Sequence, residues 1–262
     1  MNIYLHELKS NAKFIFTWLI VLIVLAVIMV LMYTSISQDI DVFKSMLNNF
    51  PENLRIAFGI SIERIGSILG YYSSFVLTII LVSCSVEAMI LGVSILSKET
   101  REKTADFLYT KPISRNQIIT SKLLASFTLL CISNIIYTLS LFFALFSVTN
   151  VSFNLNTFLL LAFIPFIVQL IFFTLGIFVS AIFSKIKAVL PISMGIVFAF
   201  YLLSSFADEK LRVLMPFKYF DTNYILNNSK YELNYTVLSF AIVLILTIFT
   251  YVIYNKKDIQ SV

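Results

Sequence analysis

Six stretches of this chain are apolar for about 20 residues or more, and each is long enough to cross roughly 30 Å of hydrocarbon as a helix. They are Phe14–Tyr33, Ile68–Leu96, Leu123–Val148, Phe158–Phe183, Ala188–Phe206 and Thr236–Tyr254. None shows the period-two alternation of a membrane β-strand, so a β-barrel is not expected. Composition agrees. The chain is 59% apolar and 13% charged, with mean hydropathy +0.93, and a soluble domain of 262 residues has no core large enough for that excess. Disordered, collagenous and disulfide-framework classes fall with it, because only six Gly, five Pro and two Cys are present. The expected fold is an all-α integral membrane protein, one transmembrane domain over residues 1–262. Its first span is read as an uncleaved anchor.

The basic residues set the orientation. With the N-terminus inside, the segments 1–13, 97–122, 184–187 and 255–262 carry 12 Lys/Arg in 51 residues. The segments 34–67, 149–157 and 207–235 carry 7 in 72. The positive-inside rule therefore places both termini in the cytoplasm. The net charge of +5 resolves into +7 inside, −1 outside and −1 for Glu87. A basic protein of another composition would suggest nucleic acid. Here the charge marks one face of a membrane, and no nucleic-acid partner is expected.

The longest inside segment starts SKETREKTADFLYTKPISRNQ at Ser97. Lys98–Tyr109 reads as a helix continuing out of the second span, with Lys98–Glu102 and Glu99–Lys103 at i,i+4. Pro112 breaks it. Ser114 and Gln117 form a capping box that starts the next helix. An ordinary charged hairpin and a docking element fit this pattern equally.

The pattern Glu99, Thr104, Leu108, Pro112, Ser114, Arg115 and Lys122 resembles the one that follows span two in type-2 ATP-binding-cassette (ABC) exporter permeases, a bacterial family. The start, with Glu7, Leu8, Lys9 and Trp18, is similar to the family's interfacial helix before span one. Met215–Asp221 and Tyr254–Ile259 resemble its segments before and after the last span. Lys103 stands where the family usually has Gly, so a regular helix is expected there.

The resemblance implies a permease subunit of an ATP-driven exporter in the bacterial cell membrane, with residues 97–122 as the coupling segment. It implies two permease copies, identical or paralogous, and two separate ATPase subunits. Glu99, Thr104, Phe107, Leu108, Pro112, Ser114 and Arg115 would make the ATPase contact, with Thr104, Phe107 and Leu108 as its apolar surface. ATP and Mg would bind the partner, not this chain. A phosphate-binding loop needs Gly followed by Lys, and no Gly here is followed by Lys. The chain is thus not expected to be an enzyme. One His and one intramembrane Glu supply neither a catalytic set nor a metal site. The competing class is an ATPase-independent secondary transporter or channel, which usually shows repeats or several midplane charges.

Glu87 is the ionisable residue inside a predicted span. Ser83 and Ser94 fall near it on the helix wheel, and the three are candidate lining of a substrate pathway. A carboxyl buried against a neighbouring helix is the alternative. The antimicrobial peptide, lipid or other amphiphile that fits such a permease is an expectation from the family. Residues 207–235 read either as a surface loop with an aromatic belt (Tyr219, Phe220, Tyr224, Tyr231 and Tyr235) or, by resemblance, as a short re-entrant helix.

Overall fold

The computed structural model describes residues 3–51, 55, 60, 62–102, 114–148, 153–183 and 186–256. These form helices, and no strand occurs among them. In chain order they are α1 (Ile3–Gln38), α2 (Ile40–Asn48), α3 (Ile68–Tyr71), α4 (Leu77–Glu102), α5 (Arg115–Val148), α6 (Leu155–Ile182), α7 (Val189–Phe206), α8 (Thr222–Asn228) and α9 (Leu233–Lys256). A π-helical turn, Tyr72–Val76, joins α3 to α4. Six helices are long and apolar enough to cross a membrane, Ile68–Lys98 counting as one. The chain is an all-α integral membrane protein, as its apolar runs predict.

The N-terminal segment does not form a separate helix. It runs into span one as α1, 36 residues without a break. That is about 54 Å at 1.5 Å per residue, well beyond the hydrocarbon thickness, so α1 projects from it. Starts and stops follow side-chain chemistry. Asn154 caps α6 by accepting from the Asn156 and Thr157 amides, and Asp221 caps α8 by accepting from Asn223. Ser229 ends α8 at φ 49°, the left-handed geometry of a helix C-terminus. Pro191 lies in the first turn of α7, where its missing N–H costs no intrahelical bond. Pro165 lies inside α6.

The helices are arranged by how much of each is covered. α6 is the central element, with 78% of its most apolar window buried, and the second span follows at 61%. The two touch backbone to backbone. A Cβ on Gly92 would lie 2.4 Å from the Phe173 carbonyl oxygen, and one on Gly176 would lie 2.9 Å from that of Met89. Small residues at a crossing are how helices associate closely when no hydrophobic drive separates them from lipid. α1 packs on α5, and α7 and α9 flank the centre. α7 and α9 have only 17% and 11% of their apolar windows covered. Their outer faces, with Leu202, Leu203, Leu244, Ile248 and Phe249, would be untenable in water and suit lipid.

Residues 207–235 fold into a cap of short helical pieces: two 3₁₀ turns, Glu209–Leu214 and Pro216–Lys218, and then α8. Arg212 organises it. Its Nε donates to the Lys218 carbonyl at 2.9 Å, and its Nη2 donates to Glu232 Oε1 at 2.8 Å. The guanidinium also sits 3.9 Å over the Tyr235 ring. This corrects the aromatic-belt reading in part. Tyr219 and Phe220 are buried in the cap, while Tyr224 remains exposed.

Candidate functional site

Two polar constellations interrupt the apolar interior. The first lies where α1, α4 and α5 meet, next to residues 97–122. Lys122 and Glu7 are 115 positions apart, yet Lys122 Nζ donates to Glu7 Oε1 at 2.9 Å with side-chain exposures of 1% and 5%. The same ammonium donates to the Ile95 carbonyl of α4 at 2.9 Å, and Asn11 Nδ2 donates to Glu7 Oε2 at 3.2 Å. One ammonium thus ties three helices. A buried pair costs desolvation of both charges, and it holds only where further hydrogen bonds complete both groups, as here.

Around this pair the surface is polar. Lys98 donates to Ser10 across α4 and α1. Arg101 donates to Ser97 and Ser94 along α4. Arg115 Nη1 donates to the Asn255 carbonyl at 3.2 Å, and Asn255 Nδ2 donates to Asn116 Oδ1 at 2.7 Å. These contacts bring the start of α1, both flanks of residues 97–122 and the end of α9 to one end of the molecule. The positive-inside count requires that co-location.

The predicted coupling residues divide. Ser114 and Arg115 are placed. The Gln117 amide donates to Ser114 Oγ at 3.2 Å and the Ser114 amide donates to Gln117 Oε1 at 3.1 Å, the reciprocal capping box. Glu99 lies on the helical backbone of α4. Thr104, Phe107, Leu108 and Pro112 lie outside the described residues.

The second constellation is central. Asn134 Nδ2 on α5 donates to Gln169 Oε1 on α6, and Gln169 Nε2 donates to Glu87 Oε2 on α4 at 2.9 Å. Asn134 Nδ2 also bonds the Leu130 carbonyl at 2.9 Å. Glu87 is 1% exposed. A small cavity adjoins it, walled by Leu19 and Leu22 of α1 and by Cys84, Ser133, Asn134, Tyr137 and Gln169. Beyond Tyr137 its hydroxyl meets that of Tyr72, 3.5 Å away on the π-helical turn. Ser83 and Ser94 are half-buried and do not join this network. Of the three predicted pathway residues, which share one face of α4, Glu87 is buried in this network and the two serines, a turn before it and two turns after it, are half-buried. No group of three or more His, Cys, Asp or Glu able to hold a metal occurs among the described residues.

Sequence reasoning missed both partnerships. Glu7 and Lys122 each look like interfacial charges, and Gln169 and Asn134 each look like isolated polar residues in long apolar runs. The signal available was that polar groups at membrane depth need partners, but it does not say which.

The family model for ABC-2 family transporter proteins matches residues 1–259. The chain belongs to the ABC-2 transporter family. Comparison with curated proteins and with solved structures returns no match. As an ABC-2 protein with six apolar helices, it is a multi-pass membrane protein and the permease component of an ABC transporter.

Proposed function

We propose that this ABC-2 permease works as an exporter subunit, paired with a second permease copy, identical or paralogous, and driven by two separate ATPase subunits. ATP and Mg bind the ATPases, and residues 97–122 are the docking segment on the cytoplasmic side together with both termini. The membrane is the bacterial cell membrane. The cargo class is an antimicrobial peptide, a lipid or another amphiphile, which fits a chain whose outer cap is small.

The observation that carries the reading is the continuity of α4 and α5. Each runs from residues 97–122 into the centre of the bundle, and Lys122 locks both to α1 at that end. A push on the segment thus reaches the membrane interior through rigid helices. Glu99 and Arg115 orient the segment or pair with the ATPase, Thr104, Phe107 and Leu108 are the apolar docking surface, and Pro112 and Ser114 complete the coupling set. Ser83 and Ser94, half-buried on the face of α4 that also carries Glu87, line the route between the two permease copies.

Leu108→Asp tests it. A charge in an apolar docking surface should abolish co-purification with the ATPase subunit, while the permease still inserts and folds. Intact assembly and unchanged ATP hydrolysis would sink the assignment.

A further inference from the structure

Around α4 the other long helices leave one gap. α6 and α7 pack on one side of it and α5 and α1 on the other, while α1 and α7 make no extended contact with each other among the described residues. The floor of the gap is a straight stripe of α4. Ile79, Ser83, Ile90, Ser94 and Arg101 recur at spacings of four and seven, which keeps them on one line of a helix. Ile79 and Arg101 are exposed and the three between them are half-buried, on a helix that is mostly buried elsewhere.

The two ends of the stripe differ. At the end away from residues 97–122, α2 folds over it. Leu47 of α2 is buried, and the Phe43 ring lies 6.0 Å from that of Phe75, one turn before Ile79. The other end is open and basic. Arg101 folds back along α4, with Nη2 donating to Ser94 Oγ at 3.3 Å and Nη1 to Ser97 Oγ at 3.5 Å. Lys98 leans onto Ser10 of α1, Lys13 stands exposed further along α1, and Lys187 is exposed just before α7. Glu7, the acid whose side chain is described at this end, is already held by Lys122 and Asn11. Helical register turns Glu99 and Glu102 about 160° and 100° away from Arg101. A guanidinium does not discharge by losing a proton, so the partner that suits this mouth is an anion.

The floor says what kind of anion. From Ser94 to Ile79 is about 22 Å at 1.5 Å per residue. That exceeds the roughly 15 Å that one leaflet contributes to a 30 Å core. A free phosphate gains nothing from Ile90 and Ile79. An extended peptide would leave backbone amides unpaired along them. A charged head with an acyl tail matches both the mouth and the floor.

We propose that the groove between α1 and α7 binds one anionic phospholipid from the leaflet at the basic end, its phosphate on Lys98 and Arg101 and an acyl chain along Ser94, Ile90 and Ser83. The site needs neither the ATPase nor a second copy. A permease that exports nothing would still bind the lipid, so its failure and the failure of the transport reading are separate results.

The test is native mass spectrometry of the purified full-length protein, titrated in detergent with phosphatidylglycerol, phosphatidylcholine or glycerol phosphate. Phosphatidylglycerol should form a one-lipid adduct about tenfold tighter than phosphatidylcholine, and glycerol phosphate should form none. Lys98→Gln/Arg101→Gln removes both charges but keeps hydrogen-bonding groups, and it should erase the preference. Should that variant fail to fold, Arg101→Gln alone changes an exposed side chain and should lower the preference several-fold. Lys210→Gln/Lys230→Gln, in the cap, should leave it intact. Ile90→Trp fills the floor and should weaken both lipids. Equal binding of the two lipids overturns the site, as does a preference that survives the Lys98/Arg101 variant or disappears in the cap variant. Glycerol phosphate bound as tightly as the lipid would reduce it to a surface anion site. Lipid binding unchanged by Ile90→Trp would remove the groove from it. A dimer that carries no lipid would assign the groove to the second copy, and the proposal would fail.

Discussion

Lys122 shows what one residue costs and supplies at membrane depth. Its ammonium is 1% exposed and bonds Glu7 and the Ile95 carbonyl. Lys122→Met leaves Glu7 as an uncompensated buried charge, which costs about 3–5 kcal/mol. In a chain of this size that is a midpoint loss on the order of 10 °C. Removing both charges removes the penalty. The double variant Glu7→Leu/Lys122→Met should therefore recover most of the loss in a thermal-shift assay. If the double variant is as unstable as the single one, the pair is not the energetic unit described here.

The same residue limits what could be read in advance. The six spans were legible because a 20-residue apolar run has few other fates, and the Ser114–Gln117 capping box was legible because both partners lie within one turn. The Glu7–Lys122 pair was not. Its members are 115 positions apart, and nothing local distinguishes them from charges that face water. Glu87 was recognisable as costly, but its relay through Gln169 to Asn134 depends on the crossing of three helices.

At the scale of elements, the crossing of α4 and α6 is the least forgiving contact. A Cβ at Gly92 meets a backbone carbonyl at 2.4 Å, and backbone cannot rotate out of the way. Gly92→Ala forces the two helices apart and should cost roughly 1–3 kcal/mol or more. Gly176→Ala, at 2.9 Å, is the milder of the two. Gly195 supplies the control. It is helical in α7 and a Cβ there meets nothing within 4 Å. Gly195→Ala should be neutral or stabilising by up to about 1 kcal/mol, from helix propensity alone. Unfolding midpoints of the three variants should rank in that order, and equal effects at Gly92 and Gly195 would show that the crossing is not a close contact. The capping box that starts α5 is a smaller matter. Ser114→Ala loses one side of a reciprocal bond, worth about 1 kcal/mol, and should fray the first turn of α5, seen as faster hydrogen exchange at the amides of 115–118.

The whole molecule has two unlike ends, and the difference dictates how it sits in a membrane. One end gathers the start of α1, the flanks of residues 97–122 and the end of α9, joined by Lys98–Ser10, Arg115–Asn255 and Asn255–Asn116 contacts. The other end holds the cap, where Arg64 donates to the Asn223 carbonyl and Asn156 to that of Ser229. In the sequence, Lys/Arg density is more than twofold higher in segments 1–13, 97–122, 184–187 and 255–262 than in 34–67, 149–157 and 207–235, 12 in 51 residues against 7 in 72. Retention of basic segments on the cytoplasmic side during insertion is the ground on which we propose that the first end faces inward. Exposed single cysteines decide this directly. In a background with Cys84 and Cys131 replaced, Lys230→Cys in the cap should react with a membrane-impermeant thiol reagent in intact cells. Lys256→Cys at the end of α9 should react only after the membrane is opened. Labelling of the second variant in intact cells would invert the topology. It would also remove residues 97–122 from the compartment that holds ATP, so one experiment bears on both the orientation and the energy source.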